Sequence, residues 1–313
     1  MLDKQISDFL LTLHDASMHL APTSFRHWAL GEVQRYVDFD FAMWGAGDGV
    51  QRELHTATIF DQSEDLFSTW EAVKEEDPYA HLVIGNTGKT WALSEIPDMY
   101  ETRAYNEHWQ LYRARQMIST MQIDPHTGLH IFVTLAREQK NADFTHDDIR
   151  FKNLVTQHLF MAATHNDRHF LSTFRAPAAL VDRHGLLHAA LPDFVALVSE
   201  EWGDTGRRQL PPVVIGALWQ TGRYRGNAIT LTAEPAGERL LVRAEQGTFT
   251  ALSTRENEVA WAYARGHSHK EVARELSIAP ATVRSHISRI YEKLDIRDKG
   301  ALALWLQEHG GAR

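Results

Sequence analysis

The chain has 313 residues, 43% of them hydrophobic and 23% charged, with a net charge of −9 and no cysteine. That length allows two or three domains with full cores, and the missing thiols exclude disulfides, cysteine nucleophiles and cysteine-ligated zinc. No apolar run approaches the roughly 20 residues of a membrane span, and the start MLDKQISDFLLTLHDASMHL carries acids where a signal peptide needs a basic and then an apolar region. A cytoplasmic protein without membrane contact is expected.

In chain order, an amphipathic helix is predicted from Asp3 to about His19, and a second from Thr23 as cap, with Phe25, Trp28, Ala29, Val33 and Tyr36 near helical spacing. FDFAMW and ELHTATIF read as strands around the turn GAGDGV, and helical signal returns at Ser63–Glu75. Met117–Asp124 and Leu129–Arg137 make a hairpin around PHTG. A long helix follows over Phe144–Phe170, capped near Thr145, with Phe151, Leu154, Val155, Leu159 and Ala162 on its inward stripe. FRAPAALVDRHGLLHAALPDFVALV reads as strand, turn, strand and helix, and GNAITLTAEPAGERLLVRAE as a hairpin; GDTGRRQLPP between them reads as a loop.

This order suggests an α/β sensor domain over residues 1–172 and a smaller α+β domain over 173–248. The first, ending in TLAREQKNADFTHDDIRFKNLVTQHL, resembles the GAF-type sensor, an antiparallel sheet with helices around a small-molecule pocket. The second is similar to a shortened PAS-type domain, with a strand-rich linker as the alternative.

The most specific stretch is residues 249–313. Here SHKEVAREL, the turn SIAP and ATVRSHISRIYEKL read as two helices joined tightly, the arrangement that lays a helix in the major groove. Val283, Ile287, Ile290 and Leu294 recur at i, i+4, i+7 and i+11 and must face inward. The opposite face shows Ala281, Arg284, Ser285 and Ser288, flanked by Arg289 and Lys293, and no acid lies between Ala281 and Tyr291. Small side chains admit the DNA backbone, and arginine pairs bidentately with guanine. From Leu252 onward the chain carries ten basic and eight acidic residues, against twenty-two and thirty-three before it, so the charge favouring DNA is local.

With Leu252, Thr254-Arg255-Glu256, Glu258-Val259, Gly266, Ser268, Lys270-Glu271, Ala273, Leu276, Ile278, Thr282-Val283-Arg284, His286, Ile290, Lys293-Leu294 and Ile296 in place, the tail resembles the LuxR-type (GerE-like) helix-turn-helix family. Val272, Ala279 and Arg284 depart conservatively, standing where the family usually has isoleucine, serine and lysine. The resemblance implies an all-α four-helix domain, with Arg284, Ser285 and Ser288 at base edges and Lys270, Thr282, Arg289 and Ser268 at phosphates. It also implies that the last helix, with Leu302, Trp305 and Leu306, pairs two copies. The expected partners are double-stranded DNA, a second copy of the chain, a small-molecule effector and RNA polymerase.

The sensor is not a phosphoacceptor domain, since no acidic pair follows a first strand. It is not a P-loop ATPase either, because GNTGKT at 85–90 has Val83 where the first glycine is needed. Asp77-Pro78 with Trp91 fourteen residues on resembles the pocket of acyl-homoserine lactone receptors, in which Asp takes a ligand amide N–H and Trp donates to a carbonyl. Glu64 and Ser68 stand where that family has Trp and Tyr. Trp70, Tyr79 and Trp109 are further candidates for an aromatic-lined pocket. Histidines at i, i+4 (His165/His169, His184/His188) come without further ligands in sequence or an HExxH, so no metal or cofactor is expected, and no catalytic motif is found. The expectation is a one-component, ligand-responsive transcription regulator and not an enzyme. A lactone quorum receptor is the alternative, and a sensor region that acts as a protein-interaction module or an enzyme is the rival from another class.

Overall fold

The computed structural model describes residues 2–139, 143–226, 228–246, 252–294 and 296–309; the expected boundary at 248/249 and part of REQKNAD lie outside them. The chain forms two compact units, residues 1–191 with 234–242 and residues 192–233 with 243–313.

The first unit opens with α1 (Leu2–Ser17) and α2 (Pro22–Gln34), followed by β1 (Phe41–Asp48), β2 (Glu53–Phe60), α3 (Leu66–Trp70), α4 (Pro78–Gly85) and β3 (Thr90–Ala92). After a turn of π-helix at Tyr105–Trp109 come β4 (Gln116–Ile123), β5 (His130–Arg137), α5 (His146–Ser172), β6 (Ala178–Val181) and β7 (Leu187–Ala190). The first five strands make an antiparallel sheet in the order β2-β1-β5-β4-β3. Alternate residues of β1 face opposite sides. Ala42 and Trp44 pack with Phe9, Leu13, Phe25, Val33, Phe151, Val155 and Leu159 of α1, α2 and α5. Phe41 and Met43 pack on the other side with Leu66, Tyr79, Leu93, Met99, Tyr105 and Trp109.

Several expectations are corrected. GAGDGV is not a turn as a whole, because β1 runs through Gly45-Ala46-Gly47-Asp48. Glycine is needed at 47, where a Cβ would lie 2.4 Å from the Glu53 carbonyl oxygen, while a Cβ on Gly45 would lie 2.5 Å from the Phe132 ring and displace it. Thr23 does not cap α2; proline at its first turn needs no N–H partner, and the preceding Ala21 makes no side-chain cap. The helix at Ser63–Glu75 shrinks to α3. The capping box of Thr145 and Asp148 does open α5, but Leu154 points to solvent, 45% exposed.

The second unit begins with α6 (Pro192–Trp202) and a short 3-10 turn at Gly203–Arg207, then α7 (Pro212–Thr221) and β8 (Arg223–Arg225). The expected loop is therefore half helical, and α7 starts at the second of its two prolines. Strands β9 (Ile229–Ala236) and β10 (Arg239–Gln246) complete a second sheet, ordered β7-β6-β10-β9-β8. Each sheet thus places its strands second, first, fifth, fourth, third.

The chain closes with α8 (Thr254–Ala264), α9 (His269–Glu275), α10 (Pro280–Leu294) and α11 (Lys299–His309). Val283, Ile287, Ile290 and Leu294 pack with Val259, Ala262, Val272, Leu302 and Leu306. Leu302 and Leu306, expected to pair two copies, are consumed by this core at 0% and 1% exposure, and Leu304 is the exposed leucine of α11.

Candidate ligand pocket and nucleic-acid interface

On the α3–α4 side of the first sheet lies a cleft of about 690 Å³ including its mouth. Met43 of β1, Met121 of β4 and Phe132 of β5 form its floor, and Phe67, Trp70, Tyr79, Val83 and Trp109 line it from the covering segments. Ser119, His130 and Thr134 add polar atoms, although the Ser119 and Thr134 hydroxyls already bond each other at 2.8 Å. Arg52, in the β1–β2 turn with φ of 51°, reaches the Lys74 carbonyl and so ties that turn to the segment after α3.

Asp77 organises the aromatic wall from beneath. It is fully buried. Its Oδ1 accepts the backbone N–H groups of Tyr79 (3.0 Å) and Ala80 (3.3 Å) as the N-cap of α4. Its Oδ2 accepts the indole N–H groups of Trp70 (3.1 Å) and Trp109 (3.0 Å). Four donors fill what a carboxylate can accept, so both rings are held edge-on to one charge. The Tyr79 hydroxyl donates to the Trp91 carbonyl at 2.9 Å, and burial pushes this phenol well above its usual range, which keeps it a donor. Trp91 does not line the cleft; its indole donates to the Asn86 carbonyl at 3.0 Å, with the Lys89 ammonium 3.8 Å from the ring centroid. Of the predicted ligand residues, Trp70, Tyr79 and Trp109 are thus brought together, with Asp77 behind them and Trp91 apart. Sequence reading missed His108, which sits behind the wall: its Nδ1 lies 2.8 Å from the Thr69 hydroxyl, and burial lowers its pKa to about 4.

In the C-terminal helices, Ser268 caps α9 through a capping box with Glu271, and Ser277 takes the left-handed conformation (φ 53°) that turns the chain between α9 and α10. Arg255 pins this turn by donating to the Leu276 carbonyl. Lys293 meets the buried Glu256 at 2.8 Å, fixing α10 against α8. Burial would raise the Glu256 carboxyl, but Lys293 and hydrogen bonds from Ser253 hold it at about 2. The seven predicted DNA contacts, Ser268, Lys270, Thr282, Arg284, Ser285, Ser288 and Arg289, are all exposed. Among the described residues, Arg284 and Arg289 have no carboxylate partner. A stripe of unpaired cations and small hydroxyls on one helix is what an anionic duplex requires.

The family described as bacterial regulatory proteins, luxR family (GerE), matches residues 250–306. Those residues are a luxR-type regulatory domain. The segment is similar to the nitrate/nitrite response regulator NarP of Escherichia coli (strain K12), 38% identical over 74 residues, which are 23% of this chain and 34% of NarP. It is also similar to the probable HTH-type transcriptional regulator GfsR of Streptomyces halstedii, 34% identical over 91 residues, or 29% of this chain and 37% of GfsR. The chain thus spans about a third of the length of these relatives. Among solved structures, Escherichia coli SdiA aligns over 97% of both chains at 13% identity with a TM-score of 0.38.

Proposed function

We propose that the whole chain is a one-component transcription regulator, in which a ligand held by the first unit sets the DNA affinity of a luxR-type output. The observation that carries this reading is the exposed face of α10 from Ala281 to Tyr291, which carries no acid and shows Arg284, Ser285 and Ser288, inside residues that match a family of bacterial regulatory proteins. Arg284, Ser285 and Ser288 read base edges, while Ser268, Lys270, Thr282 and Arg289 hold phosphates. The cleft takes a largely apolar small molecule that stacks on Trp70, Tyr79 and Trp109. Asp77 and Trp91 position that wall: Asp77 through the indole N–H groups and Trp91 through the Tyr79 hydroxyl. The matching strand order of the two sheets supports a GAF-like sensor over residues 1–172 and a PAS-like domain over 173–248. The chain acts as a homodimer in the cytoplasm, and its role is regulation, not catalysis. Ligand changes DNA affinity only through unequal binding to two sensor arrangements.

The test is selection of bound duplexes from a random pool by the full chain, alongside mass spectrometry of small molecules released from it. Enrichment of a near-palindromic sequence whose affinity shifts with the released compound is expected. A pool without enrichment would overturn the reading.

A further inference from the structure

Two β-bulges in the first unit converge on one carboxylate. Between β1 and β2 the pairing runs from Ala46–Thr56 to Gly47–Leu54, which leaves His55 as the extra residue. Between β6 and β7 it runs from Leu180–Ala189 to Val181–Leu187, which leaves His188 extra. A bulge re-aims the side chain it sets out of the ladder. Both rings turn to Asp182 Oδ2, with His55 Nδ1 at 2.8 Å and His188 Nε2 at 2.9 Å. Asp182 is itself fully buried, and its Oδ1 accepts the backbone N–H groups of His184 and Leu186. That second pair of bonds folds the β6–β7 turn so that the His184 ring stacks on His55, with centroids 4.0 Å apart, and its Nδ1 lies 3.6 Å from Glu53 Oε1.

We infer that Glu53, His55 and His184 form a site for a borderline transition-metal cation of the zinc type. One ligand atom from each of the three lies within 4.8 Å of the others. Two imidazoles and one carboxylate select such an ion over calcium or magnesium, which prefer all-oxygen cages. The Asp182 bond fixes a proton on His55 Nδ1 and leaves Nε2 as the free lone pair, the carboxylate–histidine–metal relation that orients metal-bound histidines. Zinc bonds of about 2.0–2.1 Å draw tetrahedral donors to roughly 3.4 Å apart. Rotation of Glu53, whose side chain is 48% exposed, and of the partly exposed His184 ring supplies that closure and leaves the fourth position to water. The bound ion ties β2 of the first sheet to the β6–β7 turn of the second. The proposal rests on the first unit alone and stands whether or not the chain regulates transcription.

The test is calorimetric titration of the chelator-stripped full chain with zinc chloride, with circular dichroism to verify each variant's fold. One saturable site per chain is expected. Glu53→Gln and His184→Gln, both at partly open positions, should weaken it at least tenfold, and Asp182→Asn by roughly 10–100-fold. His165→Gln, on the exposed side of α5, should leave it unchanged. With 18 histidines in the chain, adventitious binding is the rival. A His184→Gln titration that superimposes on the unaltered protein, or the absence of saturable binding at sub-millimolar zinc, overturns the proposal.

Discussion

The cleft and the α10 face use polar groups in opposite ways. Around the cleft Asp77 takes four donors, Ser119 bonds Thr134 and Thr69 meets His108, with the buried His130 Nδ1 left without a partner among the described residues. On α10 the exposed cations and hydroxyls face solvent, as does Lys270 of α9. A wall held by its own hydrogen bonds keeps one shape and offers a ligand mostly apolar area. A surface whose donors remain open offers charge and gains its partners only on binding. Damage to the first should therefore appear as lost stability, and damage to the second as lost affinity with stability intact.

The largest effect should come from Asp77→Ala, which strands two buried indole N–H groups and uncaps α4. A loss of about 3 kcal/mol in urea unfolding is expected, and a loss under about 0.5 kcal/mol would mean the wall is not organised by that carboxylate. Arg284→Ala sits at the other pole: specific DNA affinity should fall by about 1–3 kcal/mol, with unfolding unchanged. If both fall together, the α10 face is structural and the contrast fails.

Acid should also separate the regions. His108, lowered to about 4 from 6.5, binds fewer protons folded than unfolded, so its contribution is complete above about pH 6.5 and declines as pH falls toward 4. Glu256, held at about 2 against an ordinary 4.5, contributes fully above about pH 4.5 and loses that contribution as pH falls toward 2. His108→Gln should flatten the first decline, and Glu256→Gln the second, in thermal melts across pH. A Glu256→Gln profile identical to that of the unaltered chain would discount the Lys293 pair. Smallest of all, Lys270→Ala should lower the slope of log affinity against log salt by about one, almost equally for specific and random duplexes.

The α10 face was legible because its signal is local. One helix carries both the inward stripe at i, i+4, i+7 and i+11 and the outward polar face, and exposure followed from periodicity alone. The cleft was less so, because its lining comes from residues as far apart as Met43 and Thr134, and no spacing says which ring of a tryptophan-rich stretch points inward. Trp91 and Trp109 look equally eligible in sequence, but pairing of β3 with β4 carries one away from the cleft. Asp77-Pro78 has a second meaning as a helix start, N-cap followed by proline, and α4 follows from it; Pro212 also opens α7, there without a side-chain cap before it. His55 and His184 stand 129 positions apart, and what brings them together is the bulge at His55 and the β6–β7 turn folded on Asp182, neither of which leaves a spacing in the sequence.

Gly45 and Gly47 make the cleft a space defined by atoms left out. The Phe132 ring occupies the place a side chain at 45 would claim, and the Glu53 backbone does the same at 47. One added methyl group at 45 meets the movable end of a ring that is itself part of the lining and has open volume to swing into, and beyond it the Thr56 carbonyl oxygen at 3.1 Å. At 47 the obstacle is main chain and cannot yield in that way. A single carbon in β1 would therefore act as a built-in occupant at one position and as a wedge in the sheet two residues later.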